Sequence, residues 1–168
     1  MDKFKQGSQF WEDLKSGKFA RMVKEESSGK EVNNAAVAYH ILKPLFAEHD
    51  DVESMYCVFL NGQNQVLGIE KLFSGTINCA NIFPREVVKR LLALKANAVL
   101  IAHNHPSGDT QPSAEDRAVT WKLIFSLMTI DVVLHDHLII GDGYYSFSDE
   151  DWMQTAKDQC QKFLAQPF

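Results

Sequence analysis

The order of local patterns predicts a mixed α/β or α+β fold, on three observations. Residues 53–60 and 65–73 are strand-like runs on either side of Asn61-Gly62-Gln63-Asn64, a good hairpin signal. Residues 35–46 and 84–95 carry apolar side chains at helical spacing. Residues 98–102 are an apolar run of strand length, followed by a turn-rich loop and a further helical pattern over 113–128.

The remaining elements follow in order. Residues 1–18 are mixed and polar, with Phe10, Trp11 and Leu14 placed to anchor a short helix. Residues 19–26 read as an edge strand, and Ser27-Ser28-Gly29-Lys30 as a turn. Asn33 and Asn34 suit the N-cap of the helix over 35–46, because a short side-chain oxygen there accepts from an orphan backbone N–H. Val37, Ile41, Leu42 and Leu45 share one side of it, and Pro44 predicts a kink or an early end. Glu48-His49-Asp50-Asp51 leads out.

After the hairpin, Ser74-Gly75 breaks the pattern and residues 76–79 continue as strand. Pro84 fits the first turn of a helix with Val87, Val88, Leu91, Leu92 and Leu94 as its apolar face. In the helix over 113–128, Val119, Leu123, Ile124 and Leu127 face inward. Residues 131–135 and 138–140 read as two strands, Gly141-Asp142-Gly143 as a turn and 144–147 as a short strand. Ser148 is expected to cap a last helix bearing Trp152, Ala156, Cys160 and Phe163 at near-helical spacing. Trp121, Phe125, Trp152 and Phe163 are assigned to the core.

Composition narrows the class. A chain of 168 residues with 45% hydrophobic and 23% charged residues is ordinary for one soluble domain with a sizeable core. The net charge of −5 argues against broad nucleic-acid binding, which relies on Lys and Arg neutralising phosphates. Cys57, Cys79 and Cys160 are odd in number and form no C-x-x-C, so reduced thiols in a cytoplasmic protein are expected. No apolar h-region follows Met1, and no run approaches the ~18 apolar residues of a membrane span.

The chemistry concentrates at His103-Asn104-His105-Pro106-Ser107-Gly108-Asp109-Thr110-Gln111-Pro112-Ser113-Ala114-Glu115-Asp116. Side chains two apart on a strand point to one face, so both imidazoles can reach one point. The loop turns at Pro106, Gly108 and Pro112, and the helix start returns Asp116 toward that point. Two imidazoles, one carboxylate and an open fourth position describe a catalytic zinc site. A chance His-x-His is expected on the order of 0.2 times in a chain with this many histidines, and His135 and His137 form a second. Ser113 and Asp116 also read as a helix N-cap and its acidic partner, and the two readings are compatible.

The string from His103 to Gly108, with Pro112, Ser113 and Asp116, resembles the JAMM (MPN+/JAB) metalloprotease motif, and most closely its bacterial RadC branch. That motif is an upstream Glu, His-x-His, seven residues, Ser, two residues, Asp. The resemblance runs over about residues 22–147. It includes Glu53-Ser54-Met55-Tyr56-Cys57-Val58-Phe59-Leu60-Asn61, Pro84-Arg85-Glu86 and Asp136-His137-Leu138-Ile139-Ile140-Gly141. It implies a JAB/MPN (cytidine-deaminase-like) fold, a curved mixed β-sheet flanked by helices, over 31–168, after an N-terminal extension over 1–30. It implies Zn2+ held by His103, His105 and Asp116, with water as fourth ligand. Glu53 would be the general base, ahead of Glu70 and Glu86, and Ser113 would polarise the oxyanion.

The implied activity is zinc-dependent hydrolysis of a peptide or isopeptide bond in a peptide or protein substrate, ubiquitin-like in the eukaryotic relatives. Longer RadC proteins carry a helix-hairpin-helix region, and nothing here has its length or glycine pattern. A DNA-repair-associated role and a non-catalytic MPN scaffold are the competing classes. Asn104 is expected to make a structural hydrogen bond. Asp109 is read as a ligand's outer partner or a loop tip. Asp136 and His137 are read as outer partners or a buried hydrogen-bonded pair. His135 is assigned no role.

Overall fold

The computed structural model describes residue 10 and residues 12–47, 51–75 and 83–166. Five helices and five strands are described: α1 (Lys18–Ser27), α2 (Ala35–Phe46), β1 (Ser54–Leu60), β2 (Val66–Ser74), α3 (Pro84–Leu94), β3 (Ala98–Asn104), α4 (Ala114–Met128), β4 (Val133–Gly141), β5 (Gly143–Ser146) and α5 (Asp151–Leu164). The strands form one mixed sheet in the order β2-β1-β3-β4-β5, with β3 and β4 parallel and the other pairs antiparallel. No described helix is long and apolar enough to cross a membrane.

Every residue of β1 and β3 is buried, because helices cover both faces of the sheet. Met55, Cys57, Phe59, Val99 and Ile101 pack with Val87 and Leu91 of α3, Val119, Leu123, Ile124 and Leu127 of α4, and Met153, Ala156 and Cys160 of α5. On the other face Tyr56, Val58, Leu60, Leu100 and Ala102 pack with Ala38, Leu42, Leu45 and Phe46 of α2, and Val23 of α1 borders this core. Each fully buried side chain of this size contributes about 1.5–3 kcal/mol relative to exposure.

The structure corrects several expectations. Residues 19–26 are not an edge strand but lie in helix α1, whose Ala20, Val23 and Ser27 recur at helical spacing toward α2. Pro44 does not end α2 early. It lies close to the C-terminus, so it removes one late hydrogen bond, and the helix runs to Phe46. The two strands expected over 131–140 are one strand, β4, with a bulge at His135 and Asp136. Ser148 does not cap α5. Glu150 is the N-cap, and the Ser148 hydroxyl instead donates to the His135 carbonyl. Trp121 is 41% and Phe163 62% exposed, so neither is core; Trp121 stacks on Phe125, which meets Phe163 edge-on. The strand expected over 76–79, Trp11 and His49 lie outside the described residues. Asn34 caps α2, accepting from Val37 N.

Candidate metal centre

The centre is built from the tip of β3 and the first turn of α4. β3 alternates faces, so His103 continues the stripe of Val99 and Ile101 and arrives fully buried on the α4 side. α4 buries Asp116, Val119, Thr120, Leu123, Ile124 and Leu127, a stripe of helical period whose first turn carries Asp116. Ser113 starts that helix by a capping box. Its hydroxyl accepts from Asp116 N at 3.0 Å, while Asp116 Oδ2 accepts from Ser113 N at 2.8 Å and from the Ser113 hydroxyl at 2.6 Å.

These elements bring three donors together. His103 Nε2 lies 3.0 Å from His105 Nε2 and 3.0 Å from Asp116 Oδ1, and His105 Nε2 lies 3.4 Å from Asp116 Oδ2. Donors about 2.0–2.2 Å from one metal at tetrahedral angles lie roughly 3.3–3.6 Å apart, so the set fits a divalent cation with little adjustment. His105 Nδ1 faces the Asp109 carbonyl at 2.7 Å and must donate to it. The neutral ring therefore presents its Nε2 lone pair to the centre. Among the described residues this is the one His/Cys/Asp/Glu group placed to hold a metal ion.

The electrostatics of these side chains agree with a tightly coupled cluster. The hydrogen bond to Asp116 raises the His105 pKa above the ordinary histidine value, against the opposing effect of burial. Burial works against the Asp116 charge, but His103, His105 and Ser113 outweigh it and hold the carboxyl far below the usual range. Burial keeps His137 neutral, with its pKa well below the ordinary value.

Glu53 lies just before β1, half-buried. It lines a cleft of about 350 Å³ with His105, Pro106, Ser107, Ser113, Glu115 and Asp116. Ser113 is exposed on this wall, with its proton committed to Asp116. Asn104 points to the opposite face, as expected. Its Oδ1 accepts from Ser54 N at 2.7 Å and its Nδ2 donates to Val52 O at 3.1 Å, so one side chain grips the backbone on both sides of Glu53.

The family model described as "RadC-like JAB domain" matches residues 32–152, well over half of the chain. The chain belongs to the RadC-like JAB domain family. A UPF0758 protein of Vibrio atlanticus is 45% identical over 102 residues, 60% of this chain and 46% of that protein. A UPF0758 protein of Halorhodospira halophila is 45% identical over 115 residues, 68% of this chain and 51% of its own length. One from Xanthomonas axonopodis pv. citri is 48% identical over 98 residues, 58% and 44%. The chain thus spans about half the length of the curated relatives it matches.

Within this RadC-like domain the remaining sequence candidates separate. Glu70 pairs with Arg90 of α3, away from the centre, and Glu86 pairs with its neighbour Arg85. Asp109 serves His105 through its backbone carbonyl, while its carboxylate accepts from Gln111 N at 2.9 Å. Asp136 turns away from the metal centre and accepts from Ser146 Oγ, Ser148 N and His137 N. His135 bonds Asn64 at 2.8 Å. His137 Nε2 lies 2.8 Å from His103 Nδ1, and its Nδ1 lies 2.6 Å from Thr120 Oγ1. Sequence reasoning missed Thr120. The available signal was a hydroxyl on the inward stripe of α4, one turn beyond Asp116.

Proposed function

We propose that this chain is a zinc-dependent amide hydrolase acting on a peptide or isopeptide bond in a peptide or protein substrate. The observation that carries this reading is one cleft wall bearing His105, Asp116, Glu53 and Ser113 together, with His103 buried behind it. Two imidazole nitrogens and a carboxylate form a donor set that suits zinc. His103, His105 and Asp116 would hold it. A zinc ion there would supply Lewis acidity, easing loss of a proton from water near neutral pH and polarising the substrate carbonyl.

The protein's own groups supply the rest. Glu53 would take the proton of the attacking water and hand it to the leaving nitrogen, a contribution of about 10²–10⁴-fold in rate. It stands on a rigid strand start fixed by Asn104. Ser113 would donate to the developing oxyanion. For that its hydroxyl must swing away from Asp116 Oδ2, which keeps the Ser113 N–H as partner. A ubiquitin-like partner is one member of the substrate class, by family resemblance.

The test uses the full chain loaded with zinc and a pool of denatured-protein peptides, read by mass spectrometry. The wild-type chain should cleave members of the pool. Glu53→Gln should keep its zinc and lose cleavage, since it removes a base and no ligand. Cleavage by Glu53→Gln at the wild-type rate, or none by the zinc-loaded wild type, overturns the reading.

A further inference from the structure

We infer that Thr120 and His137 are positioning residues that fix which ring nitrogen of His103 carries its proton, so that the Nε2 lone pair is aimed at the centre. The inference rests on the reading of His103, His105 and Asp116 as metal ligands. Its own content is that His137 and His103 each carry a proton on Nδ1, with or without the metal.

Counting protons along the contacts gives the arrangement. The Asp116 backbone carbonyl has no proton, so Thr120 Oγ1, 2.6 Å away, donates to it. The hydroxyl has a single proton. His137 Nδ1, 2.6 Å from the same oxygen, must therefore donate. Neutral His137 then has its lone pair on Nε2, 2.8 Å from His103 Nδ1, so His103 Nδ1 donates in turn. With Nδ1 committed as a donor, His103 turns its Nε2 to the centre, 3.0 Å from both His105 Nε2 and Asp116 Oδ1, and this is the nitrogen whose lone pair a metal would take. The reverse arrangement sets the Thr120 and Asp116 oxygens 2.6 Å apart with no proton between them.

Packing holds the relay in place. Thr120, His103 and His137 are all fully buried, so water does not compete for these bonds. The His137 ring stacks on Phe147 at 5.0 Å and 7°, and Phe147 meets Trp152 edge-on at 5.0 Å. The β4 bulge turns His137 toward this face. The relay starts at the Asp116 carbonyl and returns to the Asp116 carboxylate, which ties the first turn of α4 to the tip of β3. A neutral imidazole as outer partner also raises the basicity of His103 less than a carboxylate would.

The experiment is long-range ¹H–¹⁵N spectroscopy of the metal-free full chain labelled at histidine, with zinc titrations of the same samples. His103 and His137 should both carry a proton on Nδ1. Thr120→Val removes the acceptor, and should shift His137 from that form and weaken zinc binding about 10–100-fold. Thr120→Ser should restore both. Neutral His103 carrying its proton on Nε2 in the wild-type chain overturns the relay, as do wild-type tautomers in Thr120→Val. Should Thr120→Val fail to fold, the wild-type and Thr120→Ser spectra decide alone. Expected tautomers in a wild-type chain that takes up no zinc support the relay and sink the metal reading. Zinc uptake with the wrong His103 tautomer does the opposite.

Discussion

Leu134 and His137 face the same side of β4, although they are three residues apart. In a regular strand that spacing puts two side chains on opposite faces. Here Leu134 pairs with Val99 and His137 with Ile101, so His135 and Asp136 stand against Leu100 alone. The extra residue resets the alternation. His137 and Ile139 then join the α4 side, and Leu138 and Ile140 the α2 side. Without that reset, the polar partner of His103 would face the wrong helix layer.

On the proposed function, Asn104 is expected to matter for the placement of Glu53 and not for metal binding. Asn104→Ala leaves Ser54 N and Val52 O without their buried partner, at a cost of about 1–3 kcal/mol. Asn104→Asp can still accept from Ser54 N but loses the donor to Val52. Both variants should keep their metal and hydrolyse more slowly, because Glu53 is no longer gripped from both sides. Denaturant midpoints, metal content and peptide cleavage measured together check this. Wild-type values in all three would show the grip to be idle.

Metal affinity should rise with pH through the range above the ordinary histidine value of about 6.5. Asp116 makes His105 hold its proton more tightly than usual, and a metal must displace that proton. Below the raised pKa, affinity should therefore fall, by roughly tenfold per pH unit for one proton. Asp116 adds no competition there, since its carboxyl is held far below the usual range. Competition titrations at several pH values read the slope. A flat profile would mean that His105 is not a ligand.

Gly141→Ala should disrupt the loop that carries His105. A Cβ on Gly141 would lie 2.3 Å from the Gly108 carbonyl oxygen, a backbone atom that cannot swing aside. Gly108 itself sits at φ +83° and accepts from Asp142 N, so the β4–β5 turn and the metal loop are locked together. A loss of about 1–3 kcal/mol, the usual cost of overpacking, is expected with weakened metal binding. Gly143→Ala meets no atom within 4 Å and pays only backbone strain at φ +123°, so it should spare the metal. Thermal melts and metal titrations separate the two.

Zinc should stabilise the fold by mass action. At about 100 times its Kd a ligand contributes about 2.7 kcal/mol, which for a chain of this size is roughly a 5–10 °C rise in Tm. Chelation should reverse it, and His105→Ala should show no rise. An unchanged wild-type Tm with zinc at that excess would contradict specific binding to the native state.

Much of this was legible in the sequence, for physical reasons that differ by element. The strand spacing of His103 and His105 and the Ser113–Asp116 cap are local patterns that allowed three donors near one point, and the JAMM resemblance supplied the reading of them as a ligand set. Helix α1 was misread because its inward stripe, Ala20, Val23 and Ser27, has helical spacing but mixes one small, one apolar and one polar side chain. The bulge in β4 was misread as a break at Asp136 and His137 because three polar residues in a row, His135, Asp136 and His137, interrupt the apolar run. Only the pairing with β3 shows that the strand continues. The local signal at Thr120 is only a hydroxyl on the inward stripe of α4; its role depends on β4 arriving beside that helix. Trp121 and Phe163 lie at core-like spacing on α4 and α5, yet beside Phe125 they stay largely at the surface.

The most direct test is the metal content of the full chain purified without chelators, measured by elemental analysis beside His105→Ala and Asp116→Asn. About one zinc per wild-type chain, with most of it lost in both variants, is the expected result. A wild-type chain with no bound divalent metal, or variants that retain as much as wild type, would contradict the assignment of His103, His105 and Asp116 as one metal centre.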